Sequence, residues 1–368
     1  MAAKNMILSY CFRDSNGDII ESCNQTYPLL PASNIKVVSG YTAYRMLGRD
    51  FEFRTDFSLH DKDMLIHGDP TPLLSRQKLR EILVASGLDR KDLERVLFKD
   101  DIFDDREFAD GWSIEDIGFC YQARVVPFSV DEGCYCKEQG GCDGSAPLHD
   151  VAKQSVNDQL ANFAREISSI VSANNEIEYG RFTHNSSNPH FVYRESLLDI
   201  LDHIEVYSCN FSIEVLTKYL SYRKTGRGSW EDSAEIISDY MKSLGLDASG
   251  IRIVDGSGLS RSNLMSTEFL SDLAHKIIEN GDNEFMKLLP SPGRGTLRGR
   301  LDKLSNLGLH AKTGSLEYCG SLTGYLEKPG VFFSIIINNS LENGKKIINK
   351  IDNLLVDFLG RNGIQLEG

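Results

Sequence analysis

Residues 309–338 read LHAKTGSLEYCGSLTGYLEKPGVFFSIIIN. Alternation of apolar and polar residues divides the stretch into three strands, LHAKTGSL, SLTGYLE and, after the Lys328-Pro329-Gly330 turn, VFFSIIIN. An amphipathic helix, KKIINKIDNLLVDFLG, follows. At the other end of the chain, Met6 to Cys23 reads as a β-hairpin, with ILSYCF and DIIESC around SNGD. A hairpin alone is marginal in water. The expectation is one antiparallel sheet assembled from both chain ends, an α+β fold.

Working inward, Pro31 opens a helix over Ser33–Leu47 with Gly48 at its C-terminal cap. Ile35, Val38, Met46 and Leu47 are its expected buried residues, while Gly40 and the β-branched residues weaken the helix reading. From residue 49 to 189 the texture changes to short strand-like pieces, a polar helix pair around SRQKLREILVASGLDRKDLERVLF, and VNDQLANFAREISSIV. That last run places Val156, Leu160, Phe163, Ile167 and Val171 on one helical stripe, a core-packing pattern. Helical patterns return over Leu197–Leu244 and Thr267–Leu289. The expected organisation is a domain of residues 1–48 and 190–368 interrupted by an inserted region, 49–189, with a helical lobe facing the sheet and a site in the cleft between them.

Composition narrows the ligand. A chain of 368 residues with a net charge of −13 has no basic face for phosphate, so nucleic acid is excluded as partner. No apolar run reaches the roughly 18 residues that span a bilayer. The start has neither the apolar length nor the small-residue site of a secretory leader, which points to the cytoplasm as given, or to the periplasm or exterior if a leader was removed. Eight cysteines do not make a disulfide scaffold in a chain this long. Cys134, Cys136 and Cys142, with His149, raise a Cys₃His zinc site, but Cys-x-Cys is not a standard knuckle, and a loop with thiols or a disulfide is the preferred reading. No metal or cofactor is expected. A two-residue turn at Asn16-Gly17 sets Cys11 and Cys23 out of register for a bridge.

Three Ser-x-x-Lys pairs occur, at Ser33/Lys36, Ser75/Lys78 and Ser221/Lys224. A serine hydroxyl needs a base in reach and donors for the oxyanion. Positions i and i+3 share a helix face, so Lys36 can sit over Ser33 at a helix N-terminus, where the dipole favours negative charge. Lysine acts as a base only if desolvation or a second cation lowers its pKa. Lys-Thr-Gly occurs at Lys224–Gly226, in a polar stretch read as loop, and at Lys312–Gly314, inside a strand where lysine can point into a cleft and Gly314 lets a ligand approach an edge. Ser-x-Asn occurs at Ser22, Ser155, Ser172, Ser186 and Ser208, of which only Ser208 lies among the expected helices.

Ser33-x-x-Lys36, Ser208-x-Asn210 and Lys312-Thr313-Gly314, in that order, resemble the three motifs of penicillin-recognising serine enzymes. LLPASNIKVVSGYTAYRMLGRDFEFRT, HGDPT, GWSIEDI, GSWEDSAEIISDYMKSLGLDASGIRIVDGSGLSRSNLMS and LHAKTGSLEYCGSLTGYL resemble one branch, the DacB-like D-Ala-D-Ala carboxypeptidase/endopeptidase family, over most of residues 6–340. The resemblance implies a transpeptidase/β-lactamase-like fold and an acyl-enzyme formed on Ser33 with Lys36 as base. It implies that Ser208 relays a proton, Asn210 holds a substrate amide, Lys312 keeps the site electropositive and Thr313 binds the terminal carboxylate. The N–H groups of Ser33 and Ser315 would form the oxyanion hole beside Gly314. The implied partners are a D-Ala-D-Ala-type peptide as substrate and a β-lactam as covalent inhibitor. Two departures stand out: the stretch between the first two motifs is shorter than the family's, and the middle residue of Ser-x-Asn is Cys209, read as a small buried thiol. A non-wall D-amino-acid peptide, ester or β-lactam is the alternative substrate, and an inactive binding homologue the alternative class. Asp255–Asn263, DGSGLSRSN, reads as cleft wall; Arg294, Arg298 and Arg300 read as solvated, and His310 as packing.

Overall fold

The computed structural model describes residues 6–90, 92–135, 154–155, 158–171, 177–183 and 188–365. Strands in chain order are β1 (Ile7–Arg13), β2 (Ile19–Cys23), β3 (Glu52–His60), β4 (Asp63–Gly68), β5 (Arg95–Phe98), β6 (Cys134–Tyr135), β7 (Gln154–Ser155), β8 (Glu178–Arg181), β9 (Phe191–Ser196), β10 (Leu309–Leu316), β11 (Cys319–Leu326) and β12 (Val331–Asn338). The helices are α1 (Ile35–Leu47), α2 (Arg76–Ala85), α3 (Gln159–Val171), α4 (Leu197–Tyr207), α5 (Asn210–Thr225), α6 (Trp230–Ser243), α7 (Thr267–Glu279), α8 (Asn283–Leu288) and α9 (Gly344–Arg361). No helix among the described residues is long and apolar enough to cross a membrane.

The chain forms two compact units, one of Met1–Arg45, Leu201–Ser208 and Ala234–Gly368, the other of Met46–Ile200 and Cys209–Ser233. These units differ from the expected division at 48 and 190: residues 46–48, 190–200 and 209–233 group with the inserted region, the last of these being the largest change. Polar side chains explain that largest change: Ser212 Oγ donates to the Pro72 carbonyl at 3.0 Å, Lys218 Nζ to Asp104 at 2.5 Å and Tyr219 OH to Asp69 at 2.5 Å. Buried polar groups must find partners, and these partners lie in the insertion.

In the first unit the sheet order is β10-β11-β12-β1-β2, antiparallel throughout, with β1 of the N-terminal hairpin paired to β12. Strand β12 is buried at every position because both its faces are covered. Phe333, Ile335 and Ile337 join Ile347, Ile351, Leu355 and Phe358 of α9 in one core, and Phe12 stacks on Phe358 with ring centroids 3.8 Å apart. On the other face, Phe332 meets His275 of α7 edge-on at 5.1 Å. Tyr10, not Cys11, lies opposite Cys23, and both cysteines are free thiols. Helix α1 departs from the amphipathic expectation: Ile35 through Tyr44 are all buried, whereas Met46 is exposed and Leu47 half-buried. A helix enclosed on all sides needs no apolar stripe.

In the second unit β8-β5-β4-β3-β9 form a mixed sheet, parallel at β4/β5 and β5/β8. Phe57, Ile66, Val96 and Phe98 pack with Leu79 and Leu83 of α2 and with Phe163, Ile167 and Val171 of α3. Leu160 is partly buried against that core, and Val156 lies outside the described residues. The expected polar helix pair is only half right. After α2 the chain makes a short 3₁₀ turn at Leu88–Arg90 and then strand β5, whose Val96 and Phe98 fill the core. Of the cysteine cluster, Cys134 is buried against Cys120, while Cys136, Cys142 and His149 lie outside the described residues.

Candidate active site

Leu30 and Pro31 are pinned to the sheet before α1 begins. Leu30 N–H donates to Asn338 Oδ1 at 2.8 Å, and Ser321 Oγ donates to the Pro31 carbonyl at 2.7 Å. Ala32 then takes φ = 46°, a left-handed conformation costly for a residue with a Cβ, and a 3₁₀ turn over Ala32–Asn34 delivers the chain into the helix. Ser33 sits in that turn, half-buried, while Lys36 is fully buried one turn on. Lys36 Nζ donates to Ser33 Oγ at 2.9 Å and to the Ser257 carbonyl at 2.6 Å. The Asp255 loop expected as cleft wall therefore holds the lysine directly. Asp255 shapes that loop by accepting from Gly258 N at 2.8 Å and Ser260 N at 2.6 Å.

Lys312 is the second fully buried lysine of this unit. Its Nζ donates to Ser208 Oγ at 2.9 Å and to the Thr313 carbonyl at 3.3 Å. Burial pushes its ammonium down to about 7, with Lys36 adding to the push and Glu205 opposing it. Ser208 follows α4 with φ = 60°, and Cys209 caps α5, its Sγ accepting from Ser212 N at 3.5 Å. Cys209 is the expected buried thiol, with a capping role the sequence did not suggest. Asn210 is the first residue of α5 and belongs to the second unit, where its Nδ2 donates to the Tyr121 carbonyl at 2.8 Å.

Strand β10 is the edge of its sheet. Ala311 N–H points away from β11 to the Pro290 carbonyl at 2.8 Å. Backbone direction repeats every two residues, so the N–H groups of Thr313 and Ser315 face the same outer side. A Cβ on Gly314 would stand 2.2 Å from Ser321 Oγ and 3.0 Å from both the Pro31 carbonyl and the Ser33 amide. Only glycine lets β10 lie this close to the Ser33 turn. Thr313 Oγ1 donates to Thr296 Oγ1 at 2.7 Å. Thus one unit holds two hydrogen-bonded pairs, Ser33 with Lys36 and Ser208 with Lys312, with Gly314 packed close to the Ser33 amide.

Several residues escaped the sequence reading. Ser257 contributes only a carbonyl, which no motif records. Thr296 lies in an unremarkable 3₁₀ turn. Arg294 and Arg300, read as solvated, pair with Asp202 and Asp352, and Arg298 is exposed. His310 is half-buried, and burial lowers its pKa, in keeping with packing. Ser75 merely caps α2 by accepting from Lys78 N at 3.1 Å. Lys224–Gly226 is the last turn and left-handed cap of α5 rather than the loop expected.

A family model described as D-Ala-D-Ala carboxypeptidase 3 (S13) matches residues 13–187 and 171–358. The chain is 23% identical over 413 residues to a D-alanyl-D-alanine carboxypeptidase of Actinomadura sp. (strain R39), an alignment covering 88% of this chain and 76% of the relative. Penicillin binding protein 4 (dacB) from Haemophilus influenzae shares the fold with a TM-score of 0.80 at 20% identity, over 96% of this chain and 97% of that one. A penicillin G acylated predatory endopeptidase from Bdellovibrio bacteriovorus, in complex with an immunity protein, gives a TM-score of 0.60 at 17% identity over 97% and 93%.

Proposed function

The chain belongs to the D-Ala-D-Ala carboxypeptidase 3 (S13) family and is a serine peptidase, and from that premise we propose that Ser33 is its nucleophile toward peptides ending in D-Ala-D-Ala. The carrying observation is the 2.9 Å hydrogen bond between Ser33 Oγ and a fully buried Lys36 Nζ. Ser33 Oγ attacks the carbonyl between the two D-alanines while Lys36, as free amine, takes the hydroxyl proton. The oxygen of the tetrahedral intermediate is stabilised by the N–H groups of Ser33 and Ser315. The proton passes through Ser208 to the leaving nitrogen, the C–N bond breaks, terminal D-alanine departs and an ester on Ser33 remains. Water, deprotonated by the same base, then hydrolyses the ester.

Lys312, bonded to Ser208, makes that oxygen a better proton relay and attracts the substrate's terminal carboxylate, which Thr313 also binds. The same carboxylate and acyl-donor chemistry fits a β-lactam, as the penicillin G acylated relative supports. The test is to incubate the protein with penicillin G and, separately, with a peptide ending in D-Ala-D-Ala. We expect one penicilloyl adduct per chain, mapped to Ser33, and release of D-alanine; an adduct on another residue, or none, would overturn the assignment.

A further inference from the structure

Glu205, one turn before Ser208 on α4, is fully buried, and neither carboxylate oxygen has a hydrogen-bond partner. A carboxylate so placed is costly unless a nearby charge balances it. The charged groups that face it are Lys312 from β10 and, more weakly, Lys36 from α1; burial raises its pKa to about 7 against their pull. On its own helix, Asp202 is taken by Arg294. Room for the carboxylate comes from Gly40 in α1, where a Cβ would stand 2.7 Å from Glu205 Oε1. The helix-weakening glycine thus has a use: it admits a third ionisable group to the buried lysine pair.

Charge counting shows what that group can do. Two ammoniums and one carboxylate would leave the buried cluster with a net positive charge. One ammonium and one carboxylate are neutral together, and the second lysine is then a free amine. We infer that Glu205 is a positioning residue for proton placement: its carboxylate holds the ammonium on Lys312 and leaves Lys36 the amine beside Ser33. This rests on the Ser33 reading above.

Without the carboxylate, either ammonium is held less firmly, so each proton leaves at lower pH. On the low-pH side of the rate profile Lys36 becomes a free base sooner, and on the high-pH side Lys312 loses its charge sooner. Both limbs therefore move the same way. The experiment measures the second-order rate constant for penicillin G acylation between about pH 5 and about pH 10 in the unmodified protein and in Glu205→Gln. We expect both limbs to shift to lower pH by about one unit. Coincident profiles, or a uniform loss of rate with no shift, would overturn the inference. Glu205→Met, similar in volume and without a polar group, should shift in the same direction and provides the reading if the glutamine variant does not fold. Adduct mapping on the unmodified protein separates the two claims: if Ser33 carries no adduct, the nucleophile assignment fails, whereas labelled Ser33 with unshifted variants removes only the role of Glu205.

Discussion

Within six residues, Ser221–Gly226, the chain writes both Ser-x-x-Lys and Lys-Thr-Gly; elsewhere it spreads the same two motifs between the turn leading into α1 and strand β10. In the compact copy Ser221 is fully buried, its Oγ 3.0 Å from both the Lys218 and the Ser229 carbonyl, either of which can accept its one proton, while Lys224 is exposed. In the dispersed copy the serine is half-open and both lysines are sealed. A reacting serine must be reachable, and a lysine base must be dry enough to lose its proton. The compact copy has both properties inverted. Spacing is thus shared between the two, and burial pattern separates them.

The largest effect that could break this contrast comes from the lysines. Lys36→Ala should slow penicillin G acylation about 10³-fold, whereas Lys224→Ala should leave it unchanged; similar losses from both, measured by stopped-flow or gel labelling, would mean that burial is the wrong criterion. Next come the two glycines. Gly314→Ala forces a Cβ into Ser321 Oγ and against the Ser33 turn, so both acylation rate and Tm should fall. Gly226→Ala meets open space but keeps φ = 83°, so it should cost about 1 kcal/mol in stability with acylation intact. An active Gly314→Ala protein would show that β10 need not lie so close. The smallest effect belongs to Ser221→Ala. It removes the acceptor for Ser229 N–H, held at 2.8 Å, and should lower stability by about 1–2 kcal/mol in a denaturant titration while the folded protein still labels fully.

How much of this was legible depends on the range of the interactions involved. The sheet from both chain ends could be read because strand alternation and turn residues are local signals, whereas Ser33 was separated from two other SxxK serines only by the order of its motif with Ser208-x-Asn210 and Lys312-Thr313-Gly314. Glu205 could not be read. With Asp199 and Asp202 it forms an i, i+3, i+6 series that looks like the solvated face of α4, and Asp199 is indeed exposed. Only Gly40, a poor helix residue in α1, hinted that something had to fit against that helix, and a glycine does not say what. Residues 209–233 were misassigned for a related reason: Ser212, Lys218 and Tyr219 find partners more than a hundred residues away in sequence, beyond any local pattern.

The pairing of β1 with β12 has a consequence for how the molecule is made. Ile7 lies opposite Asn338, so the sheet closes only by joining nearly the whole length of the chain. Closing so long a loop carries a large entropy cost before any contact repays it, and such topologies fold slowly. Synthesis runs from Ser33 toward Lys312. The serine is therefore made early and spends the growth of the chain without the strand that carries its second lysine. On the assignment proposed above, reactivity arrives only with β10, and a chain cut short before that strand would carry Ser33 yet lack the sheet edge and Lys312.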